Sequence, residues 1–91
     1  MKLSIIIPCF NESKTLKTIF NKVNEFNKLD KEIIIIDDFS HDETPKIIEE
    51  IKNKNPEIKT LRHESNLGKG GGIRSGLKIA TASVSSFIAN F

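Results

Sequence analysis

Ile33-Ile34-Ile35-Ile36-Asp37-Asp38 sets four consecutive isoleucines directly against two carboxylates. The run is too short to make a good helix, and β-branched side chains fit a pleated, buried surface better. A similar pattern occurs earlier, in Ile5-Ile6-Ile7-Pro8-Cys9-Phe10-Asn11-Glu12. Apolar runs without alternation read as strands covered on both faces, the condition of a parallel sheet. Ligands of open parallel sheets bind beyond the carboxyl ends of the strands. The two runs therefore predict that Asn11, Glu12, Asp37 and Asp38 share one rim.

Working outward, Lys2 to Ile7 reads as the first strand and Pro8 closes it. From Ser13, a plausible N-cap, to about Lys28, the residues Leu16, Ile19, Phe20, Val23 and Phe26 recur at helical spacing. Asp30 and Lys31 make a turn into the second strand, Glu32 to Asp37. Thr44 suits the N-cap of a second helix and Pro45 its first position, with Ile47, Ile48 and Ile51 as the buried stripe. Ile58 to Arg62 is a short third strand, less apolar and so nearer an edge. A glycine-rich loop, Glu64 to Gly72, precedes a third helix with Ile73, Leu77 and Ala80 inward. Ala82 to Phe91, small, polar and Phe-tipped, is a candidate for one more strand. The order β-α-β-α-β-α predicts an α/β fold, an open parallel sheet with right-handed crossovers and helices on both faces.

Composition narrows the function classes. Ninety-one residues allow one domain, small for an α/β fold. Fourteen basic against twelve acidic residues leave +2, too near balance to point to nucleic acid. The single Cys9 excludes an internal disulfide and fits a reducing compartment. No stretch approaches the roughly 20 apolar residues of a membrane span, and no secretory leader is visible, so a cytoplasmic location is expected.

The polar groups leave several chemistries open. Asp37 and Asp38 could accept hydrogen bonds from a base or ribose, could flank a divalent cation, or could merely cap a turn. Cys9 reads as a small strand-end residue rather than a nucleophile, since no base lies nearby in sequence. His41 and His63 lack metal-ligand spacing and read as surface loop residues. The glycine run fails the Walker pattern, because Gly70 follows Lys69 where Ser or Thr is required. It also fails the dinucleotide fingerprint, having Ser75 where the last glycine belongs. Backbone N–H groups at a helix start, with Lys69 and Arg74, would still favour an anion. The plain alternative is that the glycines only permit close packing.

Three blocks taken together resemble the N-terminal half of family 2 glycosyltransferases of the inverting GT-A type, and most of all the polyprenyl- or dolichyl-phosphate hexose transferases. The blocks are Ser4 to Glu12, Ile35 to Thr44 and Asn66 to Gly76. The resemblance implies a Rossmann-like, partial GT-A domain binding a UDP- or GDP-hexose donor along the rim. Pro8 would line the base pocket and Phe10 would flank the base. Glu12 would reach the ribose or base, and Asp38 would accept from the base edge, with Asp37 as its motif neighbour. Lys69 and Arg74 would lie near the base or diphosphate.

Two departures qualify that expectation. Phe39 replaces the glycine usual after the aspartate pair, so the turn there must differ or carry strain. Residues 82–91 leave the family pattern, and no acidic residue follows Glu64, so the Asp-x-Asp of longer members is missing. Residues 1–91 are accordingly expected to be a truncated donor-binding half, inactive alone and with no cofactor of its own. Mg or Mn, and a lipid-phosphate or glycan acceptor, belong to a full-length parent. A non-catalytic nucleotide-binding remnant or interaction module, self-associating through an exposed sheet edge, is the alternative.

Overall fold

A computed structural model of the chain describes residues 2–25, 30–81 and 85–88. Strands β1 (Lys2–Cys9), β2 (Asp30–Asp37), β3 (Lys59–Arg62) and β4 (Ser85–Ile88) alternate with helices α1 (Leu16–Asn24), α2 (Thr44–Lys54) and α3 (Gly68–Ile79). The strands form one parallel sheet in the order β3-β2-β1-β4. The α/β alternation expected from the isoleucine runs is present, and Ser85–Ile88 adds a strand beside β1.

The isoleucines divide by parity. Ile5, Ile7, Ile33 and Ile35 pack with Leu16 and Phe20 of α1 and Ile48 and Ile51 of α2. Ile6, Ile34 and Ile36 form a second cluster on the other face, with Ile79 and Ala80 against it. Successive strand residues point to opposite faces, so covering both faces demands an unbroken apolar run. Each isoleucine of β2 is at most 5% exposed. Burying side chains of that size contributes roughly 1.5–3 kcal/mol apiece before the entropy of ordering the chain is set against it.

Several boundaries differ from expectation. Asp30 and Lys31 lie within β2 rather than in a turn. Ser13 does not cap α1, which starts at Leu16 behind Thr15, because residues 11–13 are tied instead to the loop after β2. Phe26 lies outside the described residues. Thr44 is already helical, with Glu43 as the cap of α2. The largest correction concerns the glycine run, since α3 begins at Gly68 and its first turns are the run itself.

The inward face of α3 is correspondingly made of Gly71, Gly72 and Gly76, while Leu77 is 50% exposed. A Cβ on Gly76 would stand 2.5 Å from Ile6 Cγ2, and one on Gly72 3.1 Å from Pro8 Cβ. Glycine therefore lets this helix lie close against β1. Its low helix propensity, about 1 kcal/mol per residue against alanine, is offset by that packing.

At one side β3 is an edge strand. It has only four residues and carries Lys59 and Arg62, features that blunt pairing with another chain. No helix among the described residues is long and apolar enough to cross a membrane.

Candidate nucleotide site at the strand ends

Cys9 at the end of β1 pairs in register with Asp37 at the end of β2, and the Asp38 amide donates to the Cys9 carbonyl at 2.9 Å. Both strands end here, so the polar residues that follow share one rim. Two residues turn in the left-handed region, Asn11 at φ 52° and Phe39 at φ 68°. Asparagine visits that region readily, whereas phenylalanine does so at a cost of about 1–2 kcal/mol. The expected strain at Phe39 is thus real, and the turn keeps its positive φ without glycine. Its ring lies 5.2 Å from the Arg62 guanidinium and edge-on to His41, with centroids 4.7 Å apart.

The two loops are laced together. Ser40 Oγ accepts from the Asn11 amide at 2.9 Å, and Asn11 Oδ1 accepts from the His41 amide at 2.9 Å. Thr44 Oγ1 accepts from the Glu12 amide at 2.9 Å, and Asp42 Oδ2 from the Ser13 amide at 3.3 Å. Side-chain acceptors bonding backbone donors in this way fix loop geometry without a regular ladder.

The aspartate pair divides its labour. Asp37 is 3% exposed, accepts from the Ser40 amide at 3.0 Å and pairs with Arg62 Nη1 at 2.5 Å. Its carboxylate shapes the turn. Asp38, 5% exposed, accepts from the Leu67 amide at 2.8 Å, the Gly68 amide at 2.9 Å and His63 Nδ1 at 2.7 Å. Burial alone would raise its pKa, but the His63 hydrogen bond and the Leu67 and Gly68 N–H groups hold it below the usual carboxylate range. Asp38 thereby caps α3, where the helix dipole favours negative charge.

The other expected residues gather at the same end. Pro8 is half-buried beneath Gly72, and Phe10 is 41% exposed. Glu12 is half-buried and accepts from Thr15 Oγ1 at 2.8 Å. Lys69 and Arg74 are exposed on the first turns of α3, and neither has a hydrogen bond or ion pair among the described residues. The rim thus offers an aromatic face, carboxylate acceptors and two free cations above a helix N-terminus.

Other readings of these residues fall away. Cys9 is 3% exposed, and burial, with Asp37 nearby, pushes its thiol up to about 12, so it is not a thiolate nucleophile. Asp37 is bonded to Ser40 and Arg62, and Asp38 to His63, Leu67 and Gly68, so the two carboxylates serve the turn and the helix cap. Among the described residues no three His, Cys, Asp or Glu side chains gather as a metal centre. His63 was expected on the surface and is instead 8% exposed, bonded to Asp38 and, through Nε2, to Ser75 Oγ at 2.7 Å.

The sequence profile of glycosyl transferase family 2 matches residues 4–90. The chain belongs to that family. It is 39% identical over 79 residues to the poly-beta-1,6-N-acetyl-D-glucosamine synthase of Staphylococcus epidermidis, matching 87% of this chain and 19% of that protein. It is 34% identical over 85 residues to the dolichol-phosphate mannosyltransferase of Pyrococcus furiosus, matching 92% of this chain and 24% of the relative. The crystal structure of S. aureus TarS 1-349 in complex with UDP superposes with a TM-score of 0.81 at 30% identity, over 97% of this chain and 27% of TarS 1-349. The fold is that of the GT-A glycosyltransferases. The chain spans about a fifth to a quarter of the two curated relatives.

Proposed function

We propose that the rim binds the nucleoside diphosphate of a UDP- or GDP-sugar, making this chain the donor-binding half of a family 2 hexosyltransferase. One observation carries the reading: Phe10, Glu12, Asp38, Lys69 and Arg74 all lie where β1 and β2 end and α3 begins. Each has a matching role. Phe10 offers a face for base stacking, Asp38 and Glu12 accept from base or ribose, and Lys69 and Arg74 meet the diphosphate at a helix N-terminus. The structure of TarS 1-349, similar to this chain over nearly the chain's whole length, was solved in complex with UDP, which favours a nucleoside diphosphate as the ligand class. The names of the relatives favour a lipid phosphate or a growing glycan as acceptor in a full-length parent. The single reduced cysteine fits action in the cytoplasm. Sugar transfer by these 91 residues alone is not expected.

Calorimetric titration with UDP and with GDP tests the reading. Heat of binding is expected with at least one of them, and Lys69→Ala with Arg74→Ala together should weaken it about tenfold, near 1.4 kcal/mol. No heat with either nucleotide, or affinity unchanged in the double variant, would overturn it.

A further inference from the structure

One buried group on the rim has no part in the donor reading so far. His63 lies one residue past β3, and its amide donates to the Asp37 carbonyl at 2.9 Å. Its ring bridges two elements, with Nδ1 2.7 Å from Asp38 Oδ1 and Nε2 2.7 Å from Ser75 Oγ on α3. An ionised carboxylate only accepts, so Nδ1 must carry the proton whatever the state of Nε2.

Counting acceptors sharpens the consequence. Each carboxylate oxygen has two acceptor sites. Oδ1 of Asp38 is filled by the Leu67 amide and His63 Nδ1. Among the described residues Oδ2 receives only the Gly68 amide, which leaves it one site. We propose that His63 is a positioning residue: it holds Oδ1 and ties it to α3 through Ser75, so that Oδ2 is aimed as a fixed acceptor for a base N–H. This rests on the donor reading above.

The Asp38-His63-Ser75 order also matches that of a serine hydrolase triad, but the setting does not. Ser75 lies in the interior of α3, where backbone N–H groups are committed to carbonyls one turn back. Among the described residues no donors gather there to receive an oxyanion, so the chain of contacts orients rather than reacts.

Two substitutions separate the halves of the contact. His63→Asn keeps a donor where Nδ1 stands and loses the Ser75 link, whereas His63→Gln keeps the Nε2 position and loses Asp38. UDP affinity is expected to stay within about threefold of wild type in His63→Asn and to fall by about tenfold or more in His63→Gln. The acid limb of the affinity-against-pH profile should move to higher pH in His63→Gln alone, because Asp38 loses a donor to its ionised form. The titratable groups near Asp38 are His63 from the end of β3, its neighbour Asp37 and Cys9 of β1, and the neutral amides of Leu67 and Gly68 complete its surroundings; a merely structural loss would not move that limb. Equal losses in both variants, or wild-type affinity and an unmoved limb in His63→Gln, would overturn the proposal. Nitrogen-15 spectra of wild-type His63 give a readout free of nucleotide: a protonated Nδ1 supports the hold on Asp38, and a neutral ring protonated at Nε2 overturns it. Absence of UDP and GDP binding by the wild type would instead sink the donor reading, and with it the base as Asp38's partner.

Discussion

Asp38→Ala is expected to lower the free energy of unfolding by about 3 kcal/mol, a large part of the roughly 5–15 kcal/mol typical of a whole domain. At this end of the sheet the carboxylate joins three elements: the end of β2, His63 after β3, and the first turn of α3. Truncation leaves the His63 ring buried with a donor lacking an acceptor, and exposes the first amides of α3 without a cap. An unsatisfied buried donor costs about 1–3 kcal/mol, and a lost cap about 1 more. α3 has four glycines in its first five residues, so it has little intrinsic helicity to fall back on. Urea unfolding checks this, with the midpoint falling and the slope unchanged. Asp38→Asn should fall between the two, since its amide restores one acceptor but sets a donor against an N–H. A loss below about 0.5 kcal/mol in Asp38→Ala would show that the carboxylate does not hold α3 in place.

The second large effect belongs to the opposite ends of the strands, at Glu32. This side chain is 8% exposed and accepts from Ser4 Oγ at 2.6 Å, from the Thr81 amide at 2.5 Å and from Thr81 Oγ1 at 2.9 Å, and it pairs with Lys59 at 3.0 Å. Burial by itself would raise its pKa, but the donors from Ser4, Thr81 and Lys59 outweigh it and hold the group at about 2, against an ordinary 4.5. A folded-state value below the unfolded one means stability present above about pH 4.5 and lost as pH falls towards 2. The drop corresponds to about 3 kcal/mol. Glu32→Gln should therefore be markedly less stable than wild type at neutral pH, with the gap closing between pH 4.5 and 2. Asp38 and Asp42, also held low, titrate in both proteins and cancel in the difference. A gap that stays constant across that range would show that Glu32's charge is not what the donors hold.

Sequence alone revealed the sheet because burial on both faces leaves a mark that needs no partner to be read. Ile33 to Ile36 could hardly be anything but a covered strand, and the paired breaks at Pro8 and Asp37 placed both polar ends on one rim. The short, charged third strand was legible as an edge for the same reason. What stayed hidden depends on contacts between distant residues. The glycine run looks like a loop because its helicity comes from Asp38, about thirty residues away, and from close packing on Ile6. Leu77 looked inward because the rule of large apolar residues fails where glycines form the buried face. His63 is flanked by Arg62 and Glu64, so nothing local marks it as buried. One signal was available: it stands just past a parallel strand, the next in sequence after the one ending in Asp37. Asp37 and Asp38 looked equivalent, and only Arg62 and Ser40 distinguish the turn-forming carboxylate from the helix-capping one.

The donor site can be located without a substitution. In amide NMR spectra recorded during titration with UDP or GDP, the shifts are expected to cluster on residues 9–13, 37–41 and 66–74. Residues around Glu32 and Thr81, at the far ends of the strands, should stay unmoved. Shifts centred on that far end, or none with either nucleotide at millimolar concentration, would contradict a nucleoside diphosphate site at the carboxyl ends of β1 and β2.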